Sequence, residues 1–307
     1  MVRGIRSYHP FILFLYYVLV IAGLMLYQHP IFLLVALILI IWFNFLLDKG
    51  QRLKKWCWAI VLMSLFILVL TPIFNRRGNH ILFYLFDNPV MLEAIIQGVM
   101  IASTLAGILA LFVTFNIVIP ADKFLYLFSR VIPQWALLIM LSMRFVPVLQ
   151  RKIKEMEMIQ TVKGLSLKQG SIPRRAKNGM QLVQMLLTGS LEDSIQAADS
   201  MTARGYGLQK RSNYQAYEMK RRDWIAFGYF IVLSLMLLYG WRINAGTLQL
   251  LPELETIWKT EWKNIFMVMW IFLIGFPNLA EGKEVIKWKF YQRKISRLPT
   301  RMHKQAR

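Results

Sequence analysis

Two basic residues, each followed by glycine, close long helical stretches of this chain: Lys163-Gly164 and Ala203-Arg204-Gly205. Arginine offers five N–H donors in a planar fork that stays charged when partly desolvated, whereas lysine is a point charge on a flexible stem. A glycine after a helix permits the left-handed turn that ends it and leaves the preceding side chain at the tip. So placed, Arg204 can make a bidentate charge-assisted contact and Lys163 a single-point one. The plainer role for Arg204 is a helix end that complements the dipole.

Catalytic chemistry finds little support. His9, His29, His80 and His303 are scattered with no metal-ligand spacing between any two, and Cys57 is the sole cysteine, so no intramolecular disulfide forms. There is no glycine-rich phosphate loop, no Ser-His-Asp arrangement and no carboxylate pair placed for acid–base work within a span. Glu93 comes nearest to an intramembrane acid, and at the edge of its helix it reads as interfacial. No cofactor or metal is expected on this chain.

The elements that must position the cations are mostly membrane helices. Hydrophobic residues make up 57% of 307, with a mean hydropathy of +0.45, too apolar for a soluble domain of this size. Apolar runs fall near Phe11–Tyr27, Ile31–Leu47, Trp56–Phe74, Met91–Ile119, Trp224–Trp241 and Ile265–Asn278, the last short of a full span without its flanks. The expected fold is therefore an all-α integral membrane protein of about six transmembrane helices. The first run lacks a small-residue cleavage site and reads as a retained span rather than a signal peptide.

With the N-terminus inside, 32 Lys and Arg fall on the cytoplasmic side and 5 outside, which orients both termini to the cytoplasm. The chain then divides into a membrane region 1–119 with four spans, a cytoplasmic or interfacial region 120–222, a membrane region 223–281 with two spans, and a basic tail 282–307. The net charge of +21 is where orientation puts it, so nucleic acid is not an expected partner. The tail, with Trp288, Phe290 and Tyr291 among its cations, reads as an anchor against anionic lipid.

In the fourth span Ala94, Gly98, Ala102, Ala106 and Ala110 recur every four residues, giving a face nearly without side-chain bulk. It suits packing inside the bundle or contact with a second membrane protein. Within 120–222, Ala121–Arg130 reads as a short interfacial turn. An apolar stretch Trp135–Leu149 follows, interrupted by Arg144 and Pro147, then a charged helix from Gln150 to about Val162. After a loop over Lys163–Pro173, a second long helix runs from about Arg174 to Arg204. Its apolar positions Met180, Val183, Leu187, Leu191, Ile195, Ala198 and Met201 form one face, expected to pack on the first helix. Arg144, set among Met140, Leu141, Phe145 and Val146, must snorkel or meet an acid, a structural role shared with Pro147.

These residues carry a family resemblance. Ala203-Arg204-Gly205-Tyr206, preceded by Ala197-Ala198-Asp199-Ser200-Met201, resembles the second Ala-Arg-Gly motif of the transmembrane T components of energy-coupling factor (ECF) transporters, ABC-type importers of vitamins and metal ions. Arg144-Phe145-Val146-Pro147 resembles that family's Arg-Phe-x-Pro element. Thr161-Val162-Lys163-Gly164 stands at its first Ala-Arg-Gly, with lysine in place of arginine. The likeness is strongest over 117–207. It implies a non-catalytic subunit whose long coupling helices dock two cytoplasmic ATPases, which use ATP and Mg, while a small membrane S component holds the substrate. Ala203, Arg204, Gly205, Lys163 and Gly164 would then be the docking residues.

Two other readings compete. A conventional ABC importer permease forms its own path and docks by one short coupling helix, which two long helices ending in basic-Gly argue against. A membrane enzyme of lipid metabolism calls for an Asp-rich or His-rich cluster at the membrane face, and the sequence has none.

Overall fold

The computed structural model describes residues 4–75, 78, 80–85, 88–129, 132–163, 171–208, 217–248 and 261–296, the side chains of 83–85, 88–89, 133, 261–264, 285 and 287–296 excepted. The chain divides into two compact units, one of Met1–Lys123 with Glu218–Arg307 and one of Phe124–Tyr217.

The first unit is a bundle of apolar helices. A 3-10 turn at Ile5–Ser7 leads into α1 (Pro10–Leu26), followed by α2 (Pro30–Asp48) and α3 (Gln51–Phe74). Pro10 and Pro30 open their helices where a missing N–H costs nothing, and the His9 ring nitrogen caps α1 by accepting from the Phe11 N–H at 3.2 Å. Between α2 and α3 the reversal is made by Lys49 and Gly50, both with positive φ. A hairpin of β1 (Ile81–Leu85) and β2 (Asn88–Met91) then delivers the chain to α4 (Leu92–Val118). α5 (Ala121–Ser129), α6 (Pro133–Val162) and α7 (Ile172–Ala203) follow, then α8 (Arg221–Arg242) and α9 (Glu261–Ser296).

Among the described residues, five helical stretches are long and apolar enough to cross a membrane: α2, α3, α4, α8 and Ile265–Glu284 within α9. α1 is equally apolar at 17 residues, so the six apolar runs of the sequence all appear as helices. The last, short by sequence, is lengthened by the continuation of α9 through Pro277. The core forms where α1, α2, α4, α8 and α9 meet around Tyr16, Tyr17, Phe43, Leu111, Phe230 and Trp270, all essentially buried. α3 contributes no buried residue and exposes Trp58, Leu62, Phe66 and Val69, as a helix facing hydrocarbon does.

Three local expectations change. Arg144 and Pro147 do not interrupt the first long helix: α6 is continuous over 30 residues. Pro147 forfeits one i to i−4 bond, which a helix supported by a packed neighbour tolerates. Ala121–Ser129 is a nine-residue helix rather than a turn. The β1–β2 hairpin has no counterpart in the sequence reading, because its short alternation runs into the apolar pattern of α4. Glu93, in the first turn of α4, is 3% exposed; its carboxylate accepts the His80 N–H at 3.2 Å and lies 2.9 Å from His80 Nδ1, holding the hairpin's return against the start of α4.

Candidate docking site on the paired helices

The second unit is built on α6 and α7. Covered residues of α6 recur as Leu141, Phe145, Leu149, Lys152, Met156 and Gln160, and those of α7 as Asn178, Leu182, Leu186, Gly189, Asp193 and Ala197. Both series step by threes and fours, the period of one helix face. Lys152 and Asp193 form an ion pair across the helices, and Gln160 Nε2 lies 3.8 Å from Met185 Sδ. Moving eight residues forward on α6 thus moves eight back on α7, so the pair is antiparallel.

This register corrects one expectation. Met180, Val183, Leu187, Leu191 and Ile195 do share a face, but all are exposed, and a different face of α7 packs on α6. The spacing reveals an apolar stripe without revealing what meets it. The polar Asn178 and Asp193 on the inward face are what a hydrophobic-periodicity reading passes over.

Because the helices are antiparallel, their C-terminal ends lie at opposite ends of the pair. Extending the register sets Lys163 level with about residue 182, some 22 residues from Arg204, or roughly 33 Å at 1.5 Å per residue. The end of α7 is closed by a Schellman motif. Tyr206 N–H donates to the Met201 carbonyl at 3.0 Å, Gly205 N–H to the Thr202 carbonyl at 2.9 Å, and Gly205 has φ +80°. Any residue with a Cβ would be strained at Gly205, so the glycine of Ala203-Arg204-Gly205 is a requirement of this turn. Ala203 is the last helical residue and Arg204 the cap, its side chain exposed.

Lys163 likewise caps α6, its N–H donating to the Ile159 carbonyl at 3.2 Å, and is exposed. Gly164 lies outside the described residues. Among the described residues neither Lys163 nor Arg204 has a carboxylate or hydrogen-bond partner for its side chain. Each is an exposed cation at the end of a long helix. Arg144 is also exposed, and the same register places it level with about Met201, beside the closing turn of α7. The Arg-Phe-x-Pro element of α6 and the Ala-Arg-Gly end of α7, about sixty residues apart in sequence, thereby share one end of the pair.

The small-residue face of α4 lies elsewhere, in the bundle. Ala94, Gly98, Ala102 and Ala110 are buried and Ala106 half-buried. A Cβ at Gly98 would stand 3.3 Å from the Leu68 carbonyl oxygen of α3, and the Ala110 carbonyl accepts from Asn44 of α2 at 3.2 Å. The stripe seats α3 and α2 on α4, the packing role, and four of its five residues have no open surface for a second protein.

Fold and site together define an all-α, multi-pass membrane protein that carries a long antiparallel helix pair with cationic ends. The chain belongs to the cobalt transport protein family, CbiQ, whose family model matches residues 7–214. It is similar to the energy-coupling factor transporter transmembrane protein EcfT of Lacticaseibacillus paracasei, 32% identical over 108 residues, 35% of this chain and 41% of that protein. EcfT of Bacillus selenitireducens is 25% identical over 197 residues, 61% of this chain and 71% of that protein. EcfT of Staphylococcus aureus is 23% identical over 188 residues, 58% and 70% respectively. The match to the Lacticaseibacillus relative thus spans about two fifths of its length. The family is one of transporter components, not of catalysts.

Proposed function

We propose that the chain is the energy-coupling T subunit of an ATP-driven ECF-type importer of vitamins or metal ions in the cell membrane, with both termini cytoplasmic. Two cytoplasmic ATPases dock on its helix ends, one at Arg204-Gly205 and one at Lys163-Gly164, and their nucleotide-driven closure moves α6 and α7 as levers. A separate small membrane protein holds the substrate and responds to that motion. The observation that carries the reading is the pair of exposed cations, without side-chain partners among the described residues, roughly 33 Å apart at opposite ends of one antiparallel helix pair, a spacing that suits two protein subunits rather than one ligand. The exposed apolar stripe of α7 further supports a partner with an apolar surface.

ATP and Mg belong to the ATPases in this scheme, since the chain has neither a phosphate loop nor a carboxylate cluster for the metal. The test is co-expression of the affinity-tagged chain with ATPases encoded beside it. The complex is expected to retain them through mild detergent and to hydrolyse ATP, while the chain alone neither binds nor hydrolyses it. Hydrolysis by the isolated chain, or failure of every neighbouring ATPase to co-purify, overturns the proposal.

A further inference from the structure

The six residues before α1 are held from three directions. Ile5 is buried and its N–H donates to Glu281 Oε2 of α9 at 3.0 Å, against which Gly4, at φ +135°, leaves no room for a side chain. The Arg6 carbonyl accepts from Lys123 Nζ at 2.7 Å, and the next carbonyl, Ser7, accepts from the Arg222 guanidinium. That guanidinium carbon sits 5.0 Å from the Tyr8 ring centre, and Tyr8 meets Phe276 of α9 edge-on at 5.8 Å. His9 N–H donates to Asp223 Oδ1 at 3.4 Å, while Asp223 Oδ2 accepts the Lys220 N–H at 3.0 Å.

Two of these contacts have a particular place in the chain. Lys123 is the last residue before the α6–α7 unit begins at Phe124, and Arg222 stands just after the chain returns at Glu218. The two covalent connections between the units are therefore fastened to consecutive carbonyls of one turn by charge-assisted hydrogen bonds. Lys123 is held by backbone carbonyls, whereas Arg222 also faces the Asp223 carboxylate, 3.9 Å from its Nε. Lys123 in addition carries a pKa below the ordinary lysine value, from burial and from the neighbouring Arg6 charge. Half-burying a lysine beside a like charge is unfavourable, so this contact is not a general device for stability.

We propose that the turn Gly4–His9 is the anchor that fixes both connections to the bundle, with Lys123 and Arg222 as its positioning residues, so that motion of α6 and α7 enters the membrane helices rather than being lost at the junctions. This rests on the energy-coupling role proposed above. The fixing itself is a property of the chain alone and is testable apart from that role.

In a Cys57→Ser background, spin labels at Thr202→Cys and Ile231→Cys report the α7 end against the bundle, and labels at Ile231→Cys and Phe272→Cys report the bundle internally. All three sites are exposed. In the purified full chain, Lys123→Met with Arg222→Gln is expected to widen the 202–231 distance distribution at least twofold and to leave the 231–272 distribution unchanged. Lys123→Arg with Arg222→Lys, which retains both donors, restores the narrow width. An unchanged 202–231 width overturns the anchor, as does equal broadening of both pairs, which marks general loosening. With ATPases bound, ATP and vanadate are expected to shift the wild-type 231–272 distribution, and the Met/Gln variant to lose that shift. Loss of the width effect alone sinks the anchor and leaves energy coupling standing. Absence of a nucleotide shift in the wild type overturns energy coupling, and the transmitting role of the anchor with it.

Discussion

Reversing the charge at Arg204 separates docking from folding. Arg204 has no internal partner among the described residues, and its backbone is set by Gly205 and the two closing hydrogen bonds of α7. Within the chain the substitution Arg204→Glu removes only a favourable end charge, about 0.3–1 kcal/mol, and adds an unfavourable one of similar size. Helix and membrane insertion therefore survive. At a docked surface the same change puts a carboxylate where a cation is required. The loss expected there is about 2–5 kcal/mol, or some 30- to 4,000-fold in ATPase affinity. The assay is retention of the ATPases on the affinity-tagged chain at matched expression, together with ATP-driven uptake by cells. Arg204→Glu is expected to abolish uptake and strip at least one ATPase. Lys163→Glu does so less severely, because a lysine point charge forgoes bidentate contact, and Lys163→Arg is tolerated or improves retention. Normal retention and uptake in the Arg204→Glu, Lys163→Glu double variant would refute the docking argument.

Two further predictions concern the bundle. In a Cys57→Ser chain, single cysteines replacing Asn79 and Gln215 are treated in intact cells with a membrane-impermeant thiol reagent; position 79 is expected to label and 215 not, and the reverse pattern overturns the orientation given by the charge asymmetry. Gly98→Val forces branched methyls toward the Leu68 carbonyl, 3.3 Å from the position of the added Cβ, and is expected to cost about 1–3 kcal/mol, seen as a lowered melting temperature in detergent. Gly228→Val, with open space around it, is the matched control and is expected to leave the melting temperature unchanged.

What the sequence discloses here follows from the range of the physics involved. Spans are legible because hydrocarbon demands long apolar helices, and each of the six runs is a helix. Both helix ends at the candidate site are legible because glycine after a cation is a local signal; α7 ends at Ala203, within one residue of the boundary read from Arg204-Gly205. The pairing face of α7 is not legible. Periodicity finds the strongest apolar stripe, and in a membrane-associated protein that stripe faces outward as readily as inward, while the inward face is marked by Asn178, Leu182 and Asp193. The fastening of Ser7 to Arg222 is also out of reach, since nothing in either residue's neighbours announces a contact across the whole chain.

If α6 and α7 act as the levers proposed above, the placement of Pro147 bears on how they move. The bond it removes weakens α6 some 16 residues from Lys163, roughly 24 Å from that tip. Between Pro147 and the tip the helix is continuous, and it is braced on α7 by Lys152–Asp193 and again by Gln160–Met185. The weak point therefore lies at the middle of α6 and leaves its C-terminal half intact. Bending there redirects the whole segment from Leu149 to Lys163 together with the stretch of α7 packed on it. Antiparallel pairing extends the consequence to the other tip. Because Pro147 is level with about residue 198, a bend there falls within two turns of Arg204, and in the proposed coupling role displacement at either cation would be felt by the helix that carries the other.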